Sequence, residues 1–290
     1  MSWTIEQRHS VSEGIVKAGE VVEIRHHAAL TLNDRRVLNL LIENAGPGII
    51  SDETHRIAIA RLRGPKHKGS ERVKDSILRL MTTVVEVPTK DSKGNRATRR
   101  MTLLSDTTTT DDEDNPSGEV LYGFSRGIRE VIQKSRYWGR IKAHIMFAFS
   151  SKYALALYEL LCLRGNLHIT QQDFGLEEFR TLLGVPEGSL AGFPQFKQKV
   201  LTPAVEEVNG LSDFTVEIVP LREGGQQRGK LIGFRVCWDR KTPEAWQAVL
   251  DELVRPRVGR KARIQGKAET PALPAGLSPS PVPPPLALVE

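Results

Sequence analysis

A predicted helix followed directly by two alternating strands most constrains how this chain can fold. The segment from Phe193 to Trp238 begins with apolar residues at helical spacing and continues, after Asn209-Gly210, with two runs of alternating apolar residues. The apolar positions are Phe196, Val200, Leu201, Ala204 and Val208 on the helix, then Phe214, Val216 and Ile218, then Ile232, Phe234, Val236 and Trp238. This order of a helix and a β-hairpin is typical of the second half of a winged helix.

The opposite side of this helix carries side chains that can hydrogen-bond base edges or phosphates. These side chains are Gln195, Gln198, Lys199 and Thr202. No acid joins them before Glu206, one turn further on. Pro203 lacks an N–H group and clashes with the preceding turn, so we expect a kink or a restart of the helix at Thr202. The N-terminal half of the helix is therefore the better candidate for entering a groove of DNA.

The loop between the two strands is Gly-rich and basic. Its basic residues are Arg222, Arg228 and Lys230, against the acid Glu223. A wing with this excess of positive charge could lie on the phosphate backbone of DNA. The alternative is a solvated helix face followed by an ordinary hairpin, and this stretch alone leaves both interpretations open.

An earlier part of the chain shows the same order of elements. We expect a helix from Thr31 or Asn33 that ends at Gly46, a short strand over 55–57 and a helix over 59–63. Ser70 would then cap a helix to about Met81, with strands at Thr82–Val87, Arg99–Ser105 and Glu119–Phe124. The candidates for DNA contact in this copy lie in the turn before the helix, on its polar side and in the first hairpin loop: Lys66, Lys68, Arg72, Ser76, Arg79, Lys93 and Arg96.

Two such copies predict an α+β chain with two tandem winged-helix domains and a disordered, Pro-rich C-terminal tail. The predicted divisions are an arm over 1–20, a first domain over 21–140 that contacts DNA and dimerises, a second domain over 141–252 that supplies the main recognition, and a tail over 253–290. The tail is basic from Arg255 to Lys267 and then Pro-rich, a composition that cannot pack a core.

Shorter elements complete the prediction. A strand is expected at Val21–Ile24, and a linking helix and turn over 126–142. Ser150 or Ser151 would cap the helix KYALALYELLCLRG, which is followed by a short strand LHIT and the helix LEEFRTLLG. The connection of about ten residues between Gly184 and the helix at Phe193 is longer than the turn of a simple helix-turn-helix.

Charge and cysteine content agree with a cytoplasmic DNA-binding protein. The chain has 41 Lys and Arg against 35 Asp and Glu, a formal net charge of +6, with the excess clustered. Two cysteines are too few for a disulfide framework, which favours a reducing compartment. No apolar run is long enough to span a bilayer, and the first residues lack the core of a signal peptide.

Residues that could suggest catalysis have simpler explanations. Gly64–Ser70 has the two glycines of a phosphate-binding loop but lacks its lysine, so no ATP site is expected. His26 and His27 would point to opposite faces of a strand, whereas a nickase needs two histidines that flank one residue. The acids of Asp111–Asp114 indicate a solvated loop tip, and Tyr153 and Tyr158 indicate packing among leucines. We therefore expect no enzymatic activity, no metal and no cofactor.

Several segments resemble, in order, the iteron-binding plasmid replication initiator family. They are HKGSERVKDSILRLMTTVVEV, SKYALALYELL, FRTLLGVPEGS, FKQKVLTPAVEEVN and LIGFRVCW, spread over about residues 30–240. The resemblance implies two winged-helix domains that bind directly repeated sites, or iterons, at a replication origin without cutting DNA. It also implies a dimer that can repress its own promoter and limit copy number, a monomer that starts replication, and the host initiator and replicative helicase as partners.

One departure from the family concerns the second recognition helix. This is the helix in the segment that begins at Phe193. Similar proteins often have arginines just after the phenylalanine that corresponds to Phe196, where this chain has Lys197, Gln198 and Lys199. Regular helix angles put Lys197 toward the buried side, so Gln198 and Lys199 are the expected base-reading side chains. Two other classes stay open: a winged-helix transcriptional regulator without a role in replication, and an enzyme such as a nickase or primase.

The expected dimer contact lies in the first domain, over residues 80–124. The acidic tip at Asp111–Asp114 would face away from phosphate, and the basic loop over 90–100 would face it. Strands that carry Met101, Leu103, Leu121 and Tyr122 would then be available to pair with a second copy. Dimer and monomer would be in exchange.

Overall fold

The fold is a pair of winged-helix units of mixed helices and strands, as predicted. The computed structural model describes residues 14–26, 29–63, 70–110, 118–225 and 229–268. The acidic tip, Lys66, Lys68, Arg228 and the Pro-rich residues after 268 lie outside these ranges. Buried apolar residues of both units belong to one continuous core.

The first unit alternates short strands with helices. Its elements are β1 (Ile15–Ala18), α1 (Gly19–Val22), β2 (Arg25–His26), α2 (Leu32–Ala45), a 3₁₀ turn (Gly46–Ile50), β3 (His55–Ala58), α3 (Ile59–Leu62), α4 (Glu71–Thr82), β4 (Val84–Lys90), β5 (Arg96–Thr102), β6 (Leu104–Thr109), β7 (Glu119–Phe124), α5 (Arg126–Lys134) and β8 (Trp138–Ile141).

The second unit holds the stretch from which the fold was predicted. Its elements are α6 (Ala143–Ala148), α7 (Lys152–Arg164), β9 (Gln171–Gly175), α8 (Leu176–Leu182), α9 (Phe193–Phe196), a π-helical turn (Lys197–Leu201), α10 (Thr202–Leu211), β10 (Phe214–Arg222), a 3₁₀ turn (Glu223–Gly225), β11 (Leu231–Arg240), α11 (Pro243–Val254) and α12 (Arg260–Ile264).

Antiparallel sheets support each recognition helix. In the first unit the strand orders are β2-β4-β5 and β3-β7-β6, and in the second unit β10-β11-β9. The predicted strand at Arg99–Ser105 is in fact two strands, because the chain leaves its partner β4 at Thr102 and pairs with β7 from Leu104. Leu103, between them, is completely buried.

Two predicted helix caps are confirmed. The Thr31 side chain accepts a hydrogen bond from the Asp34 N–H at 3.2 Å, and the Asp34 carboxylate accepts one from the Thr31 N–H at 2.8 Å, which forms a capping box at α2. Ser151 accepts hydrogen bonds from the N–H groups of Tyr153 and Ala154 at the start of α7. Ser70 precedes α4 as predicted, but its side chain makes no capping hydrogen bond.

The predicted N-terminal arm is wrong from residue 15 onward. Ile15 to Ala18 form strand β1, all four residues are buried, and β1 pairs with β8, which had not been predicted as a strand. The strand expected at Val21–Ile24 is instead the end of the helical turn α1 and the two residues after it. Burial of β1 between distant segments stabilises a strand too short to be evident from local pattern.

Two boundaries in the second unit also differ. The strand expected over 167–170 lies at Gln171–Gly175, and both Leu167 and Ile169 are exposed. The recognition helix continues past Asn209-Gly210 to Leu211. The Asn209 side chain donates to the Val216 carbonyl at 3.0 Å and accepts from the Val216 N–H at 2.7 Å, so it joins the helix to the first strand of the hairpin instead of ending the helix.

The tail expected to be disordered from residue 253 is folded at its start. Residues 253–268 complete α11 and form α12. Glu252, which is 7% exposed, receives hydrogen bonds from Arg260 at 3.3 Å and from Arg263 at 2.7 and 2.9 Å. The prediction failed because three of the arginines that make this stretch look solvated, Arg255, Arg260 and Arg263, pair with the buried carboxylate of Glu252.

Candidate nucleic-acid interface

An aromatic cluster holds the start of the second recognition helix against its sheet. Phe234 of β11 is completely buried, and its ring lies 5.4 Å from Phe179, 6.1 Å from Phe193 and 5.7 Å from Phe196. Aromatic pairs at these separations stabilise packing beyond the area they bury. The first turn of the helix is therefore fixed relative to the hairpin.

Arg180 of α8 fixes the connection that precedes this helix. Its guanidinium lies 5.0 Å from the centre of the Phe196 ring, and it donates hydrogen bonds to the carbonyl of Leu190 at 3.0 Å and to that of Ser189. Leu190 has a positive φ of 52°, an uncommon conformation for a residue with a branched side chain. One buried arginine thus orders the long connection into the recognition helix.

A π-helical turn interrupts the recognition helix immediately before Pro203. Residues Lys197–Leu201 form the π turn, and a regular α-helix restarts at Thr202, as expected from the missing N–H group of Pro203. The wider turn accommodates one more residue per turn, so Lys197, Gln198 and Lys199 are all exposed. The prediction that Lys197 faces the core is wrong, because it assumed a regular 3.6-residue repeat.

The exposed face of this helix is polar and basic. It consists of Gln195, Lys197, Gln198, Lys199 and Thr202, all exposed, and it lies opposite a stripe of completely buried or nearly buried apolar residues. Glu206, the first acid further along, is half-buried and accepts a hydrogen bond from Gln265 Nε2 at 2.7 Å. This face can donate to base acceptors and phosphates without a neighbouring carboxylate turned to solvent.

Residues at the base of the loop between β10 and β11 hydrogen-bond to one another. Arg222 is half-buried, donates to the Gly229 carbonyl at 2.8 Å, and lies 5.6 Å from the centre of the Phe193 ring. Lys230 is exposed, while its carbonyl accepts from the Glu223 N–H at 2.9 Å. Arg222 therefore shapes the base of the wing, and Lys230 projects from it.

The helix α4 of the first unit differs from the predicted picture. Ser76 is completely buried and accepts a hydrogen bond from Asn33 at 2.8 Å, so its assignment to the exposed face is wrong. Arg79 donates to the Asp34 carboxylate through Nε at 3.0 and 3.1 Å and through Nη2 at 2.9 Å. Both residues join α4 to α2. The spacing of apolar and polar residues within α4 cannot indicate that α2 is its partner.

The Asp34 carboxylate is held in its ionised form. Its burial alone would raise the pKa, but hydrogen bonds from Arg79, Ser76 and Thr31 together keep the pKa below its usual value. The polar side of α4 alone would suggest that Arg79→Ala leaves folding intact. That expectation is revised, since the substitution removes the main partner of a completely buried carboxylate.

The outward side of α4 has mixed charge. The exposed residues there are Glu71, Arg72, Asp75, Leu78 and Thr82. Leu78 is 61% exposed. Since two acids accompany one arginine, this face attracts phosphate less than the face of the second recognition helix does.

The first hairpin presents its basic residues at a defined turn. The Asp91 carboxylate accepts hydrogen bonds from the N–H groups of Lys93 and Asn95, both at 2.9 Å, and Gly94 adopts a φ of 85°. Hydrogen bonds from Asn95 are the main reason that the pKa of Asp91 is lowered. Lys93 and Arg96 are both exposed at this turn.

Tyr158, one of the residues considered for other chemistry, has a structural role, whereas Gly64–Gly69, His27 and Asp111–Asp114 lie outside the described residues. Tyr158 is completely buried between the rings of Phe149 at 5.5 Å and Phe214 at 6.2 Å. Over the described ranges, no three His, Cys, Asp or Glu residues cluster as a metal site would require. Within the same ranges, every helix is too short or too polar to cross a membrane.

Sequence reasoning missed one residue of this interface, Lys197, and one buried residue that supports it, Arg180. Lys197 was excluded by regular helix geometry, although Pro203 already signalled an irregular turn. Arg180 was not considered, because a basic residue in a short amphipathic helix gives no local sign that it packs against an aromatic ring. Only the fold brings that arginine to Phe196.

Two family models match the chain. One, described as Initiator Replication protein, WH1, matches residues 14–162, and the other, described as Initiator Rep protein, WH2, matches residues 175–233. The crystal structure of the Pi initiator protein in complex with iteron DNA is similar with a TM-score of 0.54 and 14% identity, covering 78% of this chain and 97% of that one.

A second solved structure is the WH1 domain of MSBI1.176, a replication protein isolated from a multiple sclerosis patient. The match has a TM-score of 0.28 and 16% identity, and it covers 36% of this chain and 79% of that chain. No curated protein matches the chain.

Proposed function

The chain belongs to the initiator replication proteins, and from that membership we propose that it starts plasmid replication by binding iterons, which are directly repeated duplex sites at the origin. The similarity of its fold to that of the Pi initiator protein, solved with iteron DNA, supports this proposal. The second winged helix supplies the main sequence recognition.

The observation that carries the proposal is the exposed face of the second recognition helix. Two glutamines, two lysines and a threonine project from it, and the first acid further along the helix, Glu206, accepts a hydrogen bond from Gln265. Gln can pair with adenine and Lys with guanine in the major groove. The π turn widens the arc over which these side chains project, so adjacent base pairs come within reach of one helix.

The first winged helix adds contacts that are mainly to phosphate. Arg72 on α4 and the hairpin residues Lys93 and Arg96 are exposed, whereas the acids beside Arg72 disfavour deep entry into a groove. Lys66 and Lys68, in the turn before α4, are proposed for the same role. Arg228 and Lys230 of the second wing complete the backbone contacts.

The deciding experiment is footprinting on the DNA that flanks the coding sequence. We expect protection of tandem repeats, each about two helical turns long, with a spacing that keeps successive copies on one side of the duplex. Lys199→Ala should weaken the protection, and Lys134→Ala, an exposed lysine at the end of α5, should not. Protection of a single operator with no repeats would favour a transcriptional regulator instead.

The protein opens the origin without cutting DNA and recruits the host initiator and the replicative helicase. Incubation with supercoiled origin DNA and Mg²⁺ should therefore leave the DNA covalently closed and free of attached protein. A nick or a protein adduct would show that the chain is an enzyme.

We place the dimer contact of the DNA-free protein within residues 80–124, and a dimer bound at its own promoter would repress it. Leu103 and Tyr122 are completely buried, so the sequence-based expectation that both are available for pairing is corrected. The outer edges of β5 and β6 have no partner strand among the described residues. An unpaired edge can add a strand from a second copy.

A further inference from the structure

A β-bulge on strand β11 exposes the side chain of Ile232. Regular alternation along this strand predicts that Ile232 is buried. In the structure Arg222 pairs with Leu231 and Leu221 pairs with Gly233, so Ile232 is an extra residue without a partner on β10. Its side chain is 52% exposed. The expectation from alternation is therefore wrong at this position.

Gly233 holds the bulge in place. A Cβ atom at Gly233 would lie 2.2 Å from the carbonyl oxygen of Phe174 on the neighbouring strand β9, closer than a side-chain atom can approach a backbone oxygen. A shift of β11 by one residue would bring Ile232 or Phe234 to this position, where neither side chain fits. The register of the sheet therefore keeps Ile232 outside the regular ladder.

Two contacts place Ile232 beside the start of the second recognition helix. Arg222, which lies opposite the bulge, has its guanidinium 5.6 Å from the centre of the Phe193 ring. Phe234, two residues after Ile232 on β11, has its ring 6.1 Å from the same ring. Phe193 begins α9, and Gln195, the first residue of the exposed polar face, follows two residues later. Ile232 therefore borders the face of the helix that is proposed to contact bases.

An exposed apolar side chain at this place has one partner in the major groove. Base edges present hydrogen-bond donors and acceptors there, and the apolar group among them is the C5 methyl of thymine. The glutamines and lysines of the helix suit the donors and acceptors, whereas Ile232 can pack against the methyl. Burial of one methyl group should change the affinity roughly fourfold.

We infer that Ile232 is a specificity-determining residue, which contacts the C5 methyl of a thymine next to the base pairs that the recognition helix contacts. This inference rests on the proposed function. It gives the second wing a role in discrimination between bases, in addition to the phosphate contacts of Arg228 and Lys230.

The test uses the full chain and a duplex of about two helical turns that carries one footprinted repeat. Each thymine of the repeat is replaced in turn by deoxyuridine, which lacks only the methyl group. At one position the affinity of the wild-type protein should fall about fourfold. Ile232→Ala should bind the unmodified repeat about fourfold more weakly and lose nothing further from deoxyuridine at that position, because the contact is already absent.

Val219→Ala is the matched control. Val219 is an apolar residue of the same hairpin and is 38% exposed. Its neighbour Pro220 pairs with Phe234, so the side chain of Val219 points to the opposite face of the sheet from Phe234. This variant should respond to deoxyuridine as the wild type does at every position. Both variants should keep the melting temperature, since both side chains are exposed.

Two results would overturn the inference while the proposed function stands. In one, the wild-type protein prefers the repeat to a scrambled duplex, but deoxyuridine lowers its affinity at no position. In the other, Ile232→Ala shows the same loss as the wild type at every thymine. Equal affinity of the wild-type protein for the repeat and the scrambled duplex would overturn the proposed function and the inference with it, so the two failures are distinguishable.

Discussion

Lys17 and Glu159 form a buried ion pair between segments 142 residues apart, with Nζ 3.1 Å from Oε2 and side chains 3% and 1% exposed. Lys17 lies on β1 and Glu159 on α7. Asn39 donates to the same carboxylate at 2.6 Å, and Arg35 lies 3.4 Å from it, so α2 takes part as well. Each charged side chain in this network has a partner, and the network joins β1 and α2 to α7.

Removal of one partner should be costly. Glu159→Gln leaves Lys17 without its counter-charge, and we expect a loss of about 3–5 kcal/mol in the free energy of unfolding. Replacement of all three charges, by Lys17→Met and Arg35→Leu with Glu159→Leu, should recover most of it. Urea denaturation at pH 7 measures both, with Glu119→Gln, in an exposed ion pair with Arg56, as a control that should change little. Equal effects of Glu159→Gln and Glu119→Gln would contradict the prediction.

The Asp34 carboxylate should govern stability in acid. Its pKa is lower in the folded state than the unfolded value of about 3.9, so it contributes stability above that pH and loses it as the pH falls through the folded value. Asp34→Asn should cost about 1.5–3 kcal/mol at pH 7, and this difference should shrink below about pH 4. Denaturation curves at both pH values test this, with the exposed Glu187→Gln as control. A difference that does not depend on pH would exclude the ionised carboxylate as the cause.

Substitutions on the π turn should show which side chains contact bases and which contact phosphates. Gln198→Ala should cost about 1–3 kcal/mol on the preferred repeat and relax selectivity at one base pair. Lys197→Ala should either do the same or weaken all sequences alike with a shallower salt dependence, depending on whether it contacts a base or a phosphate. Competition binding with point-substituted repeats distinguishes these outcomes. Wild-type affinity in both variants would show that this turn does not contact DNA.

The C-terminal extension, α11 with α12, should stabilise the second unit. A chain that ends at Val254 loses the arginines around Glu252, and breaking such a buried pair costs about 3–5 kcal/mol. We therefore expect a lower melting temperature, whereas a tail disordered from residue 253, as the sequence predicted, could be removed without any effect on melting. A chain that ends at Ala268 keeps these contacts and is the matched control. Identical melting of the two truncated chains would show that α12 adds no stability.

Two substitutions separate folding from dimer formation. Leu103 is completely buried, so Leu103→Glu should unfold the first unit through an unpaired buried charge. Leu121 is only half-buried on β7, so Leu121→Glu should leave the fold intact and shift the protein toward monomer. Circular dichroism and light scattering follow the two effects. A folded Leu121→Glu protein that stays dimeric would move the interface away from this sheet.

Local periodicity was sufficient to predict the long helices and the second hairpin, because their buried faces repeat within the segment itself. It failed at β1, where four consecutive residues are buried, among them Lys17. A lysine there is compatible with the core only because Glu159 meets it, and nothing near residue 17 indicates that partner. The prediction that Ser76 and Arg79 contact DNA did not anticipate their partners for the same reason. Asn33 and Asp34, to which they bond, belong to another helix.

The π turn also affects how this protein can be compared with its relatives. One inserted residue rotates everything after it by about 100° relative to a regular helix of the same length. A base contact transferred by alignment from a relative with a regular recognition helix would keep its place up to Phe196, but would be assigned to the wrong side of the helix after Leu201. Correspondence in this helix therefore has to be established by superposition, with an offset of one position across the turn.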